Sequence, residues 1–186
     1  TSTATASDAN ATTGFPQITS TSAIIMDAQS GQIIYEKNSH TRQYPASITK
    51  IMTAYLAIKN GDLNSTITMS DAAVWGIDRN SSHIALDVGE EISMSDALYA
   101  VMLMSANEAA WAIAEQVSGS LENFVQLMND TAQSLGCKDT HFTNANGLHD
   151  PDHYTTAYDM ALITKEALTS CLLYTSPSPR DTERSR

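Results

Sequence analysis

The chain has 186 residues and a formal charge of −11, with 10 Lys and Arg against 21 Asp and Glu. That length bounds one principal domain. The acid excess argues against nucleic acid and leaves no polybasic patch for a membrane surface, and no apolar run is long enough to span a bilayer.

Residues 1–20 are rich in Thr, Ser and Ala and lack periodicity. They are expected to form a flexible segment of the kind left after signal cleavage. Ala23 to Asp27 and Gln32 to Tyr35 are β-rich runs joined by Ala28-Gln29-Ser30-Gly31, a hairpin signal. Pro45 marks a helix start, and Ile48, Ile51, Met52, Tyr55, Leu56 and Ile58 follow as an apolar stripe at helical spacing. Lys59-Asn60-Gly61 ends that helix, with Gly61 as its stop. Thr66 to Met69 suits a short strand. Ser93-Met94-Ser95-Asp96 is a capping box that opens the next helix. Ser105-Ala106-Asn107 interrupts two apolar segments and reads as a break between helices, the second running to Val117 before Gly119. Leu121 to Leu135 is an amphipathic helix stopped by Gly136. Residues 140–155 form a polar loop, and Thr156-Ala157-Tyr158-Asp159 caps a last helix that runs to about Leu168. Two strands followed by helices read as α+β.

Ser47-Ile48-Thr49-Lys50 is the stretch with most chemical content. Residues three apart share a helix face, so the Lys50 amine can reach the Ser47 hydroxyl. A serine hydroxyl is a weak nucleophile until a base takes its proton, and a buried lysine of lowered pKa can be that base. The ordinary reading is a surface Ser and Lys on an amphipathic helix, and Ser-x-x-Lys alone does not decide between them. Ser105 and Asn107 must face a cleft or each other, unless they are simple helix caps. His149-Asp150-Pro151-Asp152-His153 holds two imidazoles and two carboxylates in five residues. It could serve a metal-dependent peptidase, but it reads first as a polar loop tied by local hydrogen bonds. Cys137 reads as a small packed residue.

The two Ser motifs in this order resemble the penicillin-recognising serine enzymes. The blocks Ser22 to Glu36, Tyr44 to Tyr55, Leu103 to Ala110 and His141 to Tyr154 are similar to the secreted D-alanyl-D-alanine carboxypeptidases, the low-molecular-mass penicillin-binding proteins. The resemblance implies a transpeptidase fold shared with β-lactamases, an antiparallel sheet flanked by helices plus a helical lobe. It implies Ser47 as acylated nucleophile, Lys50 as general base, Ser105 as proton relay and Asn107 as the group holding Lys50 and substrate. It implies no metal or organic cofactor. The partners it implies are a peptidoglycan stem peptide and β-lactams as covalent inhibitors, outside the cytoplasmic membrane of a bacterium. The family's third motif, Lys-Thr-Gly or Lys-Ser-Gly, does not follow Asn107. A class A β-lactamase is the nearest alternative, but its deacylating glutamate has no counterpart between Glu122 and Glu166; a non-catalytic cell-wall-binding remnant is another.

Cys171 to Asp181 resembles, codon by codon, the translation of a transposon-based sequencing adapter. Residues 171–186 are therefore expected to be a non-native tail, leaving 21–170 as a partial catalytic domain. Expressed alone, residues 1–186 are expected to fold poorly and show little activity, since an open sheet edge favours aggregation.

Overall fold

The computed structural model describes residues 18–169. The expected adapter-like tail and most of the expected flexible N-terminal segment lie outside them.

Strands β1 (Ala23–Met26) and β2 (Ile33–Lys37) pair antiparallel, with a bulge between Ile25 and Met26. Their turn closes because Asp27 Oδ1 accepts the Ser30 N–H at 2.7 Å and the Ser30 hydroxyl at 2.6 Å. Below it, the Lys37 ammonium donates to the Ile18 and Ser20 carbonyls, which ties the chain before β1 to the hairpin.

Pro45 opens a 3-10 turn, Ala46–Thr49, rather than an α-helix; α1 starts at Lys50 and runs to Asn60. The expected one-sided stripe is also revised. Met52 to Ala57 are buried without interruption, whereas Ile48 is 49% exposed. The reason is that α1 lies between two cores. Ala54 and Ala57 pack with Ile67, Met94, Ala109 and Ile113, while Met52, Tyr55 and Leu56 pack with Phe124, Met128, Phe142 and Ile163. A helix covered on both sides has no solvent face to give it a period. Gly61 follows α1 in an extended conformation, φ −94°, not as a left-handed stop, and glycine is called for because a Cβ there would lie 2.6 Å from the Ala57 carbonyl oxygen.

Strand β3 (Thr66–Thr68) pairs antiparallel with β4 (Glu91–Ser93), and α2 (Asp71–Trp75) lies between them in sequence. β4 and α2 are too short to show a period, and the sequence pattern predicts neither. Helices α3 (Met94–Met104), α4 (Asn107–Ser118), α5 (Leu121–Ser134) and α6 (Ala157–Ala167) follow. Of both expected capping boxes the N-cap half forms, while Asp96 accepts the Ser93 hydroxyl and Asp159 accepts the Asp139 N–H and the Thr140 hydroxyl. Ser93 Oγ accepts the Asp96 N–H, and Thr156 Oγ1 accepts the Asp159 N–H, each at 3.0 Å. The result is α+β, with the antiparallel sheet present among the described residues as two separate ribbons. One is the hairpin, which leans on α6; the other sits in the helical lobe. Ile24 and Met26 of the hairpin, Ile48 in the 3-10 turn, Ile51 of α1, Met160 of α6 and Leu168 at its end line an apolar cleft between them. No helix among the described residues is long and apolar enough to cross a membrane.

Thr156 is almost fully buried at the start of α6. Thr156→Ala is expected to cost about 1–2 kcal/mol of stability, read as a lowered urea midpoint at unchanged slope. An unchanged midpoint would show that this cap does not hold α6.

Candidate active site

Ser47 sits in the 3-10 turn, where three residues complete a turn and positions i and i+3 eclipse. The Lys50 amine consequently lies 3.2 Å from Ser47 Oγ. Ser47 is exposed, while Lys50 is only 3% exposed.

Two further groups hold that amine. Lys50 Nζ donates to Asn107 Oδ1 at 2.7 Å and to the Asn146 carbonyl at 2.6 Å. Both oxygens can only accept, so both take N–H bonds in either charge state. The remaining position faces Ser47, and in the neutral amine it carries the lone pair. Burial pushes Lys50 down to about 8, against the opposing pull of the Glu108 carboxylate. The arrangement can therefore take a proton from the Ser47 hydroxyl near neutral pH.

Ser105 and Asn107 join from the break between α3 and α4. Ser105 caps α3 in the left-handed region, φ 57°, and its hydroxyl lies 2.9 Å from Ser47 Oγ. Asn107 begins α4, with its N–H on the Ser82 carbonyl at 3.0 Å. Its amide nitrogen donates to Ser81 Oγ at 2.7 Å, which turns its oxygen toward Lys50. All four residues named from the sequence thus meet at one point.

Sequence reasoning misses several contributors. Asn146 acts through its backbone carbonyl, to which residue type gives no clue. Ser81 orients Asn107 from a loop without periodicity. Glu108 is fully buried, and its Oε1 accepts the Ile84 N–H at 2.7 Å; a carboxylate immediately after Ser-x-Asn is the available signal. Gly147, at φ 84°, lies against the turn that carries Ser47, so close that a Cβ would overlap the Ala46 carbonyl oxygen.

The loop from His149 to His153 separates its imidazoles. His149 packs edge-on against Tyr44, centroids 4.6 Å apart. His153 is buried, with both ring nitrogens engaged by Thr49 and Thr143. Glu166, the first glutamate after Glu122, accepts from the Tyr55 hydroxyl at 3.2 Å. Lys59 donates to that same hydroxyl oxygen at 2.8 Å, about 14 Å along the axis of α1 from Lys50. Cys137 is half-buried, and burial pushes its thiol up to about 12, which suits packing rather than reactivity.

Residues 8–179 match the family model described as peptidase S11, D-alanyl-D-alanine carboxypeptidase. The D-alanyl-D-alanine carboxypeptidase DacA of Haemophilus influenzae is 43% identical over 156 residues, covering 80% of this chain and 39% of that protein. DacF of Bacillus subtilis is 41% identical over 150 residues, 79% of this chain and 38% of the relative. Among solved structures, penicillin binding protein 5 of Haemophilus influenzae aligns with a TM-score of 0.78 at 39% identity, covering 83% of this chain and 46% of that one. A mutant of a Streptomyces DD-transpeptidase aligns at 0.80 with 28% identity, covering 85% and 64%. The chain thus spans about two fifths of the length of the curated relatives it matches.

Gly147→Ala must move the turn that carries Ser47 or unfold the loop. It is expected to destabilise by about 2 kcal/mol or more, combining left-handed strain with overlap, and to lower the thermal midpoint accordingly. A variant as stable as the parent would show that the contact is not tight.

Proposed function

The chain belongs to the peptidase S11 family of D-alanyl-D-alanine carboxypeptidases, and we propose that it is the nucleophile-bearing part of a serine DD-carboxypeptidase. The observation that carries this reading is the held amine. Lys50 has two fixed acceptors, and its third neighbour is the Ser47 hydroxyl.

In this reading Lys50 Nζ takes the Ser47 proton as Oγ attacks the carbonyl of the penultimate D-alanine in a peptidoglycan stem peptide. The backbone N–H of Ser47 supplies one donor to the oxyanion. As the tetrahedral adduct collapses, the C–N bond breaks and Ser105 passes a proton from Lys50 to the departing amine of terminal D-alanine. Water then hydrolyses the ester and restores Ser47. Asn107 keeps the amine aimed and holds the substrate amide. Penicillins acylate the same oxygen, and no metal or organic cofactor takes part. The reaction lies outside the cytoplasmic membrane, where the substrate is. No Lys-Thr-Gly or Lys-Ser-Gly occurs in residues 108–186, so residues 1–186 alone turn over little substrate.

The full-length protein is expected to bind fluorescent penicillin covalently and to release D-alanine from a stem pentapeptide, and Ser47→Ala to do neither. Labelling that persists in Ser47→Ala would overturn the assignment. Rapid hydrolysis of nitrocefin would move the protein to the β-lactamases, and no labelling at all would make it a non-catalytic remnant.

The Lys50 amine acts only when neutral, and its pKa is lowered to about 8. Acylation should therefore rise about tenfold per pH unit below pH 8 and level off above it. A rate that stays flat from pH 6 to 9 would exclude Lys50 as the base.

A further inference from the structure

We propose that His153 is a positioning residue for the turn that carries Ser47, acting through a hydrogen bond from its Nε2–H to the Thr49 hydroxyl. The inference rests on Ser47 being the acylated oxygen.

The tautomer follows from the partners. The Thr143 backbone N–H points at His153 Nδ1 from 3.0 Å, and an amide N–H can only donate. Nδ1 is therefore the bare nitrogen, and the ring proton sits on Nε2, 2.8 Å from Thr49 Oγ1. Both residues are buried, His153 at 2% and Thr49 at 0% exposure. The Phe142 ring stands edge-on to the imidazole at 5.6 Å. Burial pulls the imidazole down to about 4, so it stays neutral and keeps this one arrangement near physiological pH.

Thr49 lies between Ser47 and Lys50 in the 3-10 turn. The loop that carries His153 also supplies the Asn146 carbonyl to Lys50 and lays Gly147 against Ala46. Those two contacts touch Ala46 at the start of the turn and Lys50 just past its end, and the imidazole ties Thr49, its last residue, to the same loop. Loss of the Nε2–H···Oγ1 bond frees the turn to rotate, which separates Ser47 Oγ from the lone pair of Lys50. His153 touches neither substrate nor reacting atoms, so it works through Thr49.

Two substitutions divide the ring in half. His153→Gln can place an amide N–H where Nε2 sits and keep the bond to Thr49. His153→Asn can place a carbonyl where Nδ1 sits and keep the bond from Thr143, but it loses Thr49. The measurement is the second-order rate of acylation by fluorescent penicillin in the full-length protein, with the thermal midpoint taken alongside. His153→Gln is expected to stay close to the parent, and His153→Asn to slow by about tenfold while still labelling Ser47 to completion. Thr49→Val approaches the same bond from the other side; it should slow acylation similarly, and the Thr49→Val, His153→Asn double variant should be no slower than either single one. A purely structural histidine would instead lower the midpoint in both His153 variants and slow them alike, and that result would overturn the inference, as would parental speed in His153→Asn. If the unsubstituted protein is not labelled at all, the reading of Ser47 fails first and this inference falls with it.

Discussion

A lysine amine taken out of water is the constraint from which the rest of this architecture follows. Lys50 opens α1, the helix packed between the two cores, and is nearly without solvent contact. A buried amine is costly unless every hydrogen-bonding position is filled. Its partners come from three places in the chain: the turn it ends, the start of α4 and the loop at Asn146. None of these can shift without leaving a buried polar group unpaired. The loop is held further by the Thr53 hydroxyl, which donates to the Ala145 carbonyl at 2.6 Å.

The same burial supplies the chemistry. An amine in water keeps its proton at neutral pH; this one loses it near pH 8 because burial disfavours the charge more than the Glu108 carboxylate favours it. The hydroxyl beside it stays exposed, so the proposed nucleophile faces solvent while the proposed base does not. Strain gathers at the same point. Ala46 and Ser105 flank the site in the left-handed region, at φ 49° and 57°, a conformation that costs non-glycine residues about 1–2 kcal/mol each. Both are pinned by neighbours: Gly147 lies on the Ala46 carbonyl, and the Ala106 N–H returns to the Ala100 carbonyl. Backbone strain held in this way is a frequent mark of functional sites.

Elements that announce themselves by local chemistry are legible in the amino-acid sequence. The hairpin shows through its turn residues, α3 and α6 through Ser93 and Thr156 at their caps, and the break at Ser105 through a polar tripeptide between apolar runs. Other elements are not: α2 has a capping Ser70, whose Oγ accepts the Ala73 N–H at 2.9 Å, but it and β4 are too short to show a period, and the 3-10 turn at Ala46–Thr49 passes for the first turn of α1 because both place i and i+3 on one side. The one-sided stripe expected of α1 fails for a different reason, since a second core covers the face that the pattern leaves to solvent.

The order of residues carries which chemical groups exist and their local spacing, including Ser47 three before Lys50 and Ser105 two before Asn107. It also carries the likeness to a family, through blocks that recur in sequence. It cannot convey that the Asn146 backbone carbonyl accepts a hydrogen bond from Lys50, since every residue has a carbonyl. Nor can it convey that Ser81 aims Asn107, that Gly147 admits the Ala46 turn, or that His153 reaches Thr49 across 104 positions. Those contacts depend on packing between segments far apart in the chain, and the burial that lowers the Lys50 pKa exists only once the start of α4 and the loop at Asn146 have packed against α1.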